Sequence, residues 1–284
     1  MSARAQTSRI NPYWLLVAPA VLLVLVLYVA PILNVLTLSF TDPKPGLGNY
    51  AKIIESDTVA TLILRTLKLC IITTVAAVSL GYVVAYAMLH ALSHVRQRML
   101  SILMISFWIS VLVRSFAWLM LLGHNGLANN ALIAAGLISQ PLPFMRNEFG
   151  VLIGMTEYML PYAVLPLLAN MQGIDPRVTR ASRSLGASNA QTFLRVFLPL
   201  TKPGIIAASL LVFISSLGFY VTPAILGGGK VQMIAEYISV QLLVTVRWGT
   251  AAMLATLMIT SVLVLMYVLN RFMKLSVVFG GGPR

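Results

Sequence analysis

Six long apolar runs constrain this chain more than anything else in it: Tyr13–Phe40, Leu67–Leu89, Leu100–Leu122, Val151–Met171, Gly204–Leu226 and Thr250–Phe272. A helix rises about 1.5 Å per residue and the hydrocarbon core of a bilayer is about 30 Å thick, so runs of roughly 20 residues can cross it. Inside lipid every backbone N–H and C=O must be satisfied within the segment, which continuous apolar runs achieve as helices. Only 10% of the 284 residues are charged, against about 25% in an ordinary soluble domain. The mean hydropathy is +0.90. The expected class is an all-α membrane protein with six transmembrane helices in one domain, residues 1–284. Pro31, Pro161, Pro166 and Pro223 lie in or near the spans and predict kinks.

The net charge of +13 raises nucleic acid as a partner. The placement of the charges speaks against it and for a lipid membrane. Lys and Arg gather on the cytoplasmic side of membrane proteins. One set of ends holds Arg4, Arg9, Arg96, Arg98, Arg177, Arg180, Arg183, Arg195, Lys202, Arg271, Lys274 and Arg284. The other holds Lys44, Lys52, Arg65, Lys68, Arg146, Lys230 and Arg247, together with Asp42, Glu55, Asp57, Glu148 and Glu236. Both termini are therefore expected in the cytoplasm. The first run is too long for a signal-peptide core and reads as an anchor that stays. The lone Cys70 excludes a disulfide framework. A short lateral helix is expected at Ala128–Leu137 in the third loop, and the loop Thr41–Val59 reads as turn-rich.

Among the polar segments, Asp175–Pro203 carries its own helix signals. Asp175 can cap a helix with Pro176 at its first position. Gly186 suits the left-handed residue that ends it. Ser188 and Gln191 form a capping-box pattern for a second helix, which Pro199 is expected to close. Phe193, Val196 and Phe197 share one face of that helix, an apolar ridge expected to dock onto a neighbour.

This segment resembles the cytoplasmic coupling loop of inner-membrane permease subunits of ABC importers. That family's pattern is Glu-Ala-Ala, three residues, Gly, nine residues, Ile, any residue, Leu-Pro. The slots here hold Arg180, Ala181, Ser182, Gly186, Val196, Leu198 and Pro199. Arg180 replaces the usual glutamate and Ser182 an alanine. The phrases LGASNAQTFLRVFLPLTKPGII, FWISVLVRSFAW, LPYAVLP and VTPAILGGG are similar to the spermidine/putrescine permease subfamily. The resemblance covers about Trp14 to Phe272. It implies a type I ABC importer permease fold in the bacterial inner membrane, and import of polyamines by ATP-driven alternating access. It also implies a separate ABC ATPase dimer that binds ATP and Mg, a second permease of similar fold and an extracytoplasmic substrate-binding protein. Arg180, Ala181, Ser182, Leu185, Gly186, Phe193, Leu198 and Pro199 would couple to the ATPase. An importer of another small nitrogen compound, such as an opine, amino acid or aminophosphonate, resembles the same pattern. A secondary transporter working without ATP fits less well, because no internal repeat is visible.

Nothing in the chain points to an enzyme or to a nucleotide site of its own. Gly227-Gly228-Gly229-Lys230 lacks the phosphate-loop pattern, with Ala224 and Val231 at the deciding positions. His90 and His94 sit four apart, as metal ligands can, but no third ligand is nearby and a solvated loop explains them better. Two charges lie inside spans, Arg114 and Glu157. On continuous helices Arg114 lies roughly 21 Å above the cytoplasmic end of its run, and Glu157 roughly 9 Å below the outer end of its own. In a core of about 30 Å those are the same level. Two readings follow: a salt bridge between the third and fourth spans, or a carboxylate facing a path for a cationic substrate. Aromatic residues flank the pair. Most suit packing or the interfacial belt, but Tyr158, Tyr220 and Trp108 could join Glu157 along such a path, since ring faces attract cations.

Overall fold

The computed structural model describes residues 13–54 and 56–273. Every regular element among the described residues is helical. Arg4, Arg9, Glu55, Lys274 and Arg284, and with them both termini, lie outside the described residues.

The first span is a continuous rod of α1 (Tyr13–Val24), a π-helical turn (Leu25–Val29) and α2 (Ala30–Thr41). In the π turn the Ala30 N–H donates to the Leu25 carbonyl, immediately before Pro31. Proline has no N–H and its ring crowds the carbonyl four residues back, so widening the turn ahead of it relieves the conflict. α3 (Gly48–Ile54) occupies the loop that the sequence offers as turns. α4 (Asp57–His90) has 34 residues, about 51 Å at 1.5 Å per residue. It begins ten residues before the apolar run and is longer than a bilayer core is thick.

The third span departs from expectation. The run Leu100–Leu122 is not one helix: α5 (Ser93–Trp108) stops, Ile109 and Ser110 are extended, and α6 (Val111–Leu122) restarts. The stretch long enough to cross a membrane here is Val111–Ala134, which takes in α7 (Leu127–Ala134). α7 is the short helix expected at 128–137, shifted by a few residues. The fourth span, α8 (Glu148–Gln172), holds Pro161 and Pro166 without interruption.

Beyond it come α9 (Pro176–Ser184), α10 (Asn189–Thr192), a second π turn (Phe193–Phe197), α11 (Leu198–Leu200) and α12 (Lys202–Leu217). The expectation that Pro199 closes a helix fails. The Leu198 N–H donates to the Phe193 carbonyl in the π turn, Pro199 follows within α11, and the chain bends by 58° only between Leu200 and Lys202. This bent pair is the sixth candidate span beside five straighter ones. α13 (Val221–Gly227), α14 (Ile234–Leu243) and α15 (Trp248–Met273) complete the chain. The apolar run Gly204–Leu226 is thus divided at Gly218–Tyr220, and α14 lies in a loop that the sequence leaves irregular.

Small residues draw the central helices together. Ala77, Gly81 and Ala85 follow one face of α4, and a Cβ placed on Gly81 would lie 2.8 Å from the Ala163 Cβ of α8. Without a hydrophobic drive between helices in lipid, such close approach supplies the packing energy. α12 closes against both α4 and α8, and Met159, Leu167, Met171 and Val212 fill the space. Leu69, Met155, Leu226 and Met233 form a second core. α15 is tied to the first span by Asp42, whose Oδ2 accepts from the Gly249 N–H at 2.6 Å. A Cβ on Gly249 would sit 2.1 Å from the Asp42 carbonyl, so only glycine fits there.

Candidate functional site

The segment 175–203 forms two helices joined by a tight turn. The Asp175 carboxylate accepts from the Arg177 N–H at 2.8 Å, capping α9 behind Pro176. Gly186 has φ +89°, the left-handed geometry that glycine adopts without strain. The Ser188 hydroxyl accepts from the Gln191 N–H at 3.2 Å, and Gln191 Oε1 accepts from the Ser188 N–H at 3.0 Å. This is a complete capping box. The hydroxyls of Ser182 and Thr192 lie 3.1 Å apart and join the two helices. A hydroxyl at Ser182 therefore has a partner that an alanine would not.

The ridge of Phe193, Val196 and Phe197 does not face outward as expected. Phe197 is buried, and both phenylalanine rings meet Tyr86 of α4 edge-on, with centroids 5.4 and 5.5 Å away. Phe193 also meets Tyr82 at 6.3 Å. The apolar side of the second helix anchors the loop to its own bundle. What the loop presents instead is Leu185, 89% exposed at the tip, with Val178 and Leu194. Arg177, Arg180, Ala181 and Arg183 are exposed beside it, and none of the three arginines forms an ion pair among the described residues. Leu198 is half-buried and Pro199 exposed, in the turn leading to the bend. His90 Nδ1 lies 2.9 Å from the Tyr86 carbonyl, and its ring tilts against Tyr86. That contact occupies it within its own helix.

The second locus sits where the third span breaks. A break leaves carbonyls at the end of α5 without helical partners. The Arg114 guanidinium reaches back and donates to the Ser106 carbonyl. Arg114 Nη1 lies 3.5 Å from Glu157 Oε1, an ion pair between α6 and α8. Ser106 Oγ donates to the same oxygen at 3.3 Å, and Trp118 Nε1 donates to Glu157 Oε2 at 3.5 Å. The Arg114 guanidinium also lies over the Tyr158 ring, 5.0 Å from its centroid. Tyr158 stacks near Tyr162 and packs against Phe219 at 4.5 Å. Beside this cluster the broken third and fifth spans are joined by the hydroxyls of Ser115 and Thr222, 3.1 Å apart.

These features bear directly on kinship. The pattern of the family described as binding-protein-dependent transport system inner membrane component matches residues 91–276. The chain belongs to this family. It is 32% identical over 224 residues to the spermidine/putrescine transport system permease protein PotB of Haemophilus influenzae, across 76% of this chain and 78% of that protein. PotB of Escherichia coli K12 is 32% identical over 231 residues, across 81% and 84%. The inner membrane ABC transporter permease protein YdcU of the same organism is 31% identical over 178 residues, across 58% and 57%. Among solved structures, a bacterial alginate ABC transporter in complex with alginate pentasaccharide-bound periplasmic protein is similar with a TM-score of 0.76 at 18% identity. The match covers 92% of this chain and 93% of that one. The fold is that of the type I ABC importer permeases, and this family member is a multi-pass transport component of the inner membrane.

Of the residues that the sequence assigns to a substrate path, the structure brings Glu157 and Tyr158 together with Arg114. It leaves the other two apart. Trp108 is 83% exposed at the end of α5, touching Phe107 edge-on. Tyr220 lines an apolar groove with Ile238, Met258 and Val262, on the side of α14 and α15. Ser106 and Trp118 complete the charged cluster. Trp118 is legible as an aromatic near Arg114, but Ser106 has no sequence signal, because its role exists only where the helix stops.

Proposed function

We propose that this chain is one of two permease subunits of a polyamine importer. Its cargo would be spermidine, putrescine or a close relative, delivered by an extracytoplasmic substrate-binding protein. The observation that carries this reading is the 32% identity, across about four-fifths of the chain, to permeases named for spermidine and putrescine. The carboxylate of Glu157, paired with the Arg114 guanidinium that lies over the Tyr158 ring, agrees with an amine cargo, since aromatic faces and carboxylates together attract alkylammonium groups.

In this reading the second permease is a different chain of similar fold, and an ABC ATPase dimer binds ATP and Mg in the cytoplasm. Segment 175–203 docks onto that ATPase. Arg180, Ala181 and Leu185 supply the exposed contact, while Phe193 and the Leu198–Pro199 turn carry displacement into α4 and α12. Closure of the ATPase dimer then shifts the loop, and the bundle alternates between outward and inward openings. Arg180, in place of the usual glutamate, would face a carboxylate on the ATPase.

The test is ATP hydrolysis by the reconstituted complex with its binding protein, across polyamines, opines, amino acids and aminophosphonates. Spermidine or putrescine should stimulate hydrolysis several-fold and the other classes should not. Stimulation by one of the others alone would replace the polyamine reading with the second importer class. Hydrolysis that no ligand stimulates would remove both.

A further inference from the structure

The charged pair in the membrane is not symmetric, and that asymmetry carries an inference. Charge-assisted contacts between nitrogen donors and a carboxylate settle at about 2.7–2.9 Å. Glu157 has three polar partners, at 3.3, 3.5 and 3.5 Å, and all are long. Its side chain is 29% exposed, while that of Arg114 is 9% exposed. Arg114 does not depend on Glu157 alone. It also holds the Ser106 carbonyl and lies against the Tyr158 ring. The cation is pinned, and the carboxylate has room for a closer partner.

The surroundings define which partner. Tyr158, Tyr162, Phe219 and Phe107 form a contiguous aromatic run with centroid separations of 4.5, 6.2 and 5.4 Å, and it reaches the Glu157 ion pair where the Arg114 guanidinium lies over the Tyr158 ring. A carboxylate next to such a run suits a primary ammonium carried on a methylene chain: the charge meets the acid and the stem lies on the rings. Removing a buried arginine's only partner would be costly, but here the arginine keeps two others.

We propose that Glu157 exchanges partners during transport: a protonated primary amine of the cargo takes the carboxylate while Arg114 stays on Ser106 and Tyr158. This rests on the amine-importer reading above. The site thereby selects for ammonium charge within the membrane, independently of the binding protein. Arg114, fixed nearby with the same sign as the cargo, shortens the amine's stay, and Glu157 returns to it when the amine leaves. The chain thus carries both the attraction and its reset.

The experiment compares wild type, Glu157→Gln and Glu157→Asp in the complete importer with its ATPase and binding protein, reconstituted in liposomes. Uptake of spermidine is measured beside uptake of its mono-N-acetylated analogue, which lacks one ammonium. Glu157→Gln should lower spermidine uptake roughly tenfold, the scale of a lost hydrogen bond to a charged group. It should also bring the two uptake rates together, with the yield of assembled complex unchanged. Glu157→Asp should keep the preference for spermidine. Wild-type rates and preference in Glu157→Gln overturn the proposal. So does an equal loss for both compounds in Gln and Asp alike, which would mark a merely structural acid. If Glu157→Gln does not assemble, Ser106→Ala decides. It frees the carboxylate from one donor and should sharpen the preference, and an unchanged preference overturns the proposal. A wild type that imports neither compound removes the polyamine reading itself, and this inference with it.

Discussion

At the scale of the residue, Arg114 and Glu157 differ in what each leaves behind when replaced. Losing Arg114 leaves the Ser106 carbonyl at the α5–α6 break with only the long Ile109 N–H contact at 3.4 Å, and leaves the Glu157 carboxyl group with two weak donors. Breaking a buried pair from the side that orphans a charge costs about 3–5 kcal/mol. Losing the Glu157 charge leaves Arg114 two partners. Arg114→Met should therefore lower the melting temperature of the purified permease clearly more than Glu157→Gln does. Equal shifts, measured by thermal unfolding in detergent, would contradict the asymmetry. The pair itself is legible in the sequence, because an intramembrane charge demands a partner and only one candidate stands at the same level. The shared level, however, follows only for an unbroken helix through Leu100–Leu122. The residues meet although the helix stops at Trp108, by a geometry other than the one that predicts the meeting. Periodicity cannot show such a break, since Ile109 and Ser110 fit the apolar run as well as their neighbours do.

At the scale of the element, segment 175–203 is the part of the chain whose local signals were most readable. The Asp175 cap, Pro176 at the start, the left-handed Gly186 and the Ser188–Gln191 box all form as their residue types require. Local hydrogen bonding decides them without help from the rest of the fold. The direction of the Phe193–Phe197 face was not readable, because an apolar stripe states that it is covered and not by what. The prolines differ from expectation for a related reason: Pro31, expected to kink its span, and Pro199, expected to close its helix, each follow a π turn that ends two residues earlier, and the helix continues through both. Gly186 allows a clean experiment. A Cβ there would meet nothing within 4 Å, so Gly186→Val strains the backbone, by about 1–2 kcal/mol for a left-handed residue, without striking a neighbour. Gly186→Asn should be milder, since asparagine tolerates that region. If the turn transmits ATPase motion, Gly186→Val should keep an assembled complex that hydrolyses ATP with uptake reduced several-fold, and Gly186→Asn should lie between it and wild type. Uptake that follows hydrolysis unchanged in the valine variant would deny the turn that role.

At the scale of the whole molecule, length and composition announce the membrane and the number of crossings, and they miss how the crossings are built. Two of the six apolar runs are divided, at Ile109–Ser110 and Gly218–Tyr220, and the divided spans meet through Ser115 and Thr222. Orientation rests on the distribution of Lys and Arg, and it predicts which face each loop occupies. A cysteine at Leu185, exposed at the tip of the turn after α9, should react with a membrane-impermeant maleimide in inside-out vesicles and not in intact cells. A cysteine at Lys230, on the exposed glycine turn, should do the opposite. Cys70 is fully buried and supplies a silent background. The reverse pattern would turn the molecule over and separate the loop from any cytoplasmic ATPase. Finally, α4 is about 51 Å long in a membrane core of about 30 Å. Toward its Asp57 end it carries Lys68, paired with Glu148, and near its His90 end it carries Tyr86, gripped by Phe193 and Phe197. A single unbroken helix is thus long enough to reach both aqueous compartments, a direct line from one mouth of the protein to the other that bypasses the broken helices.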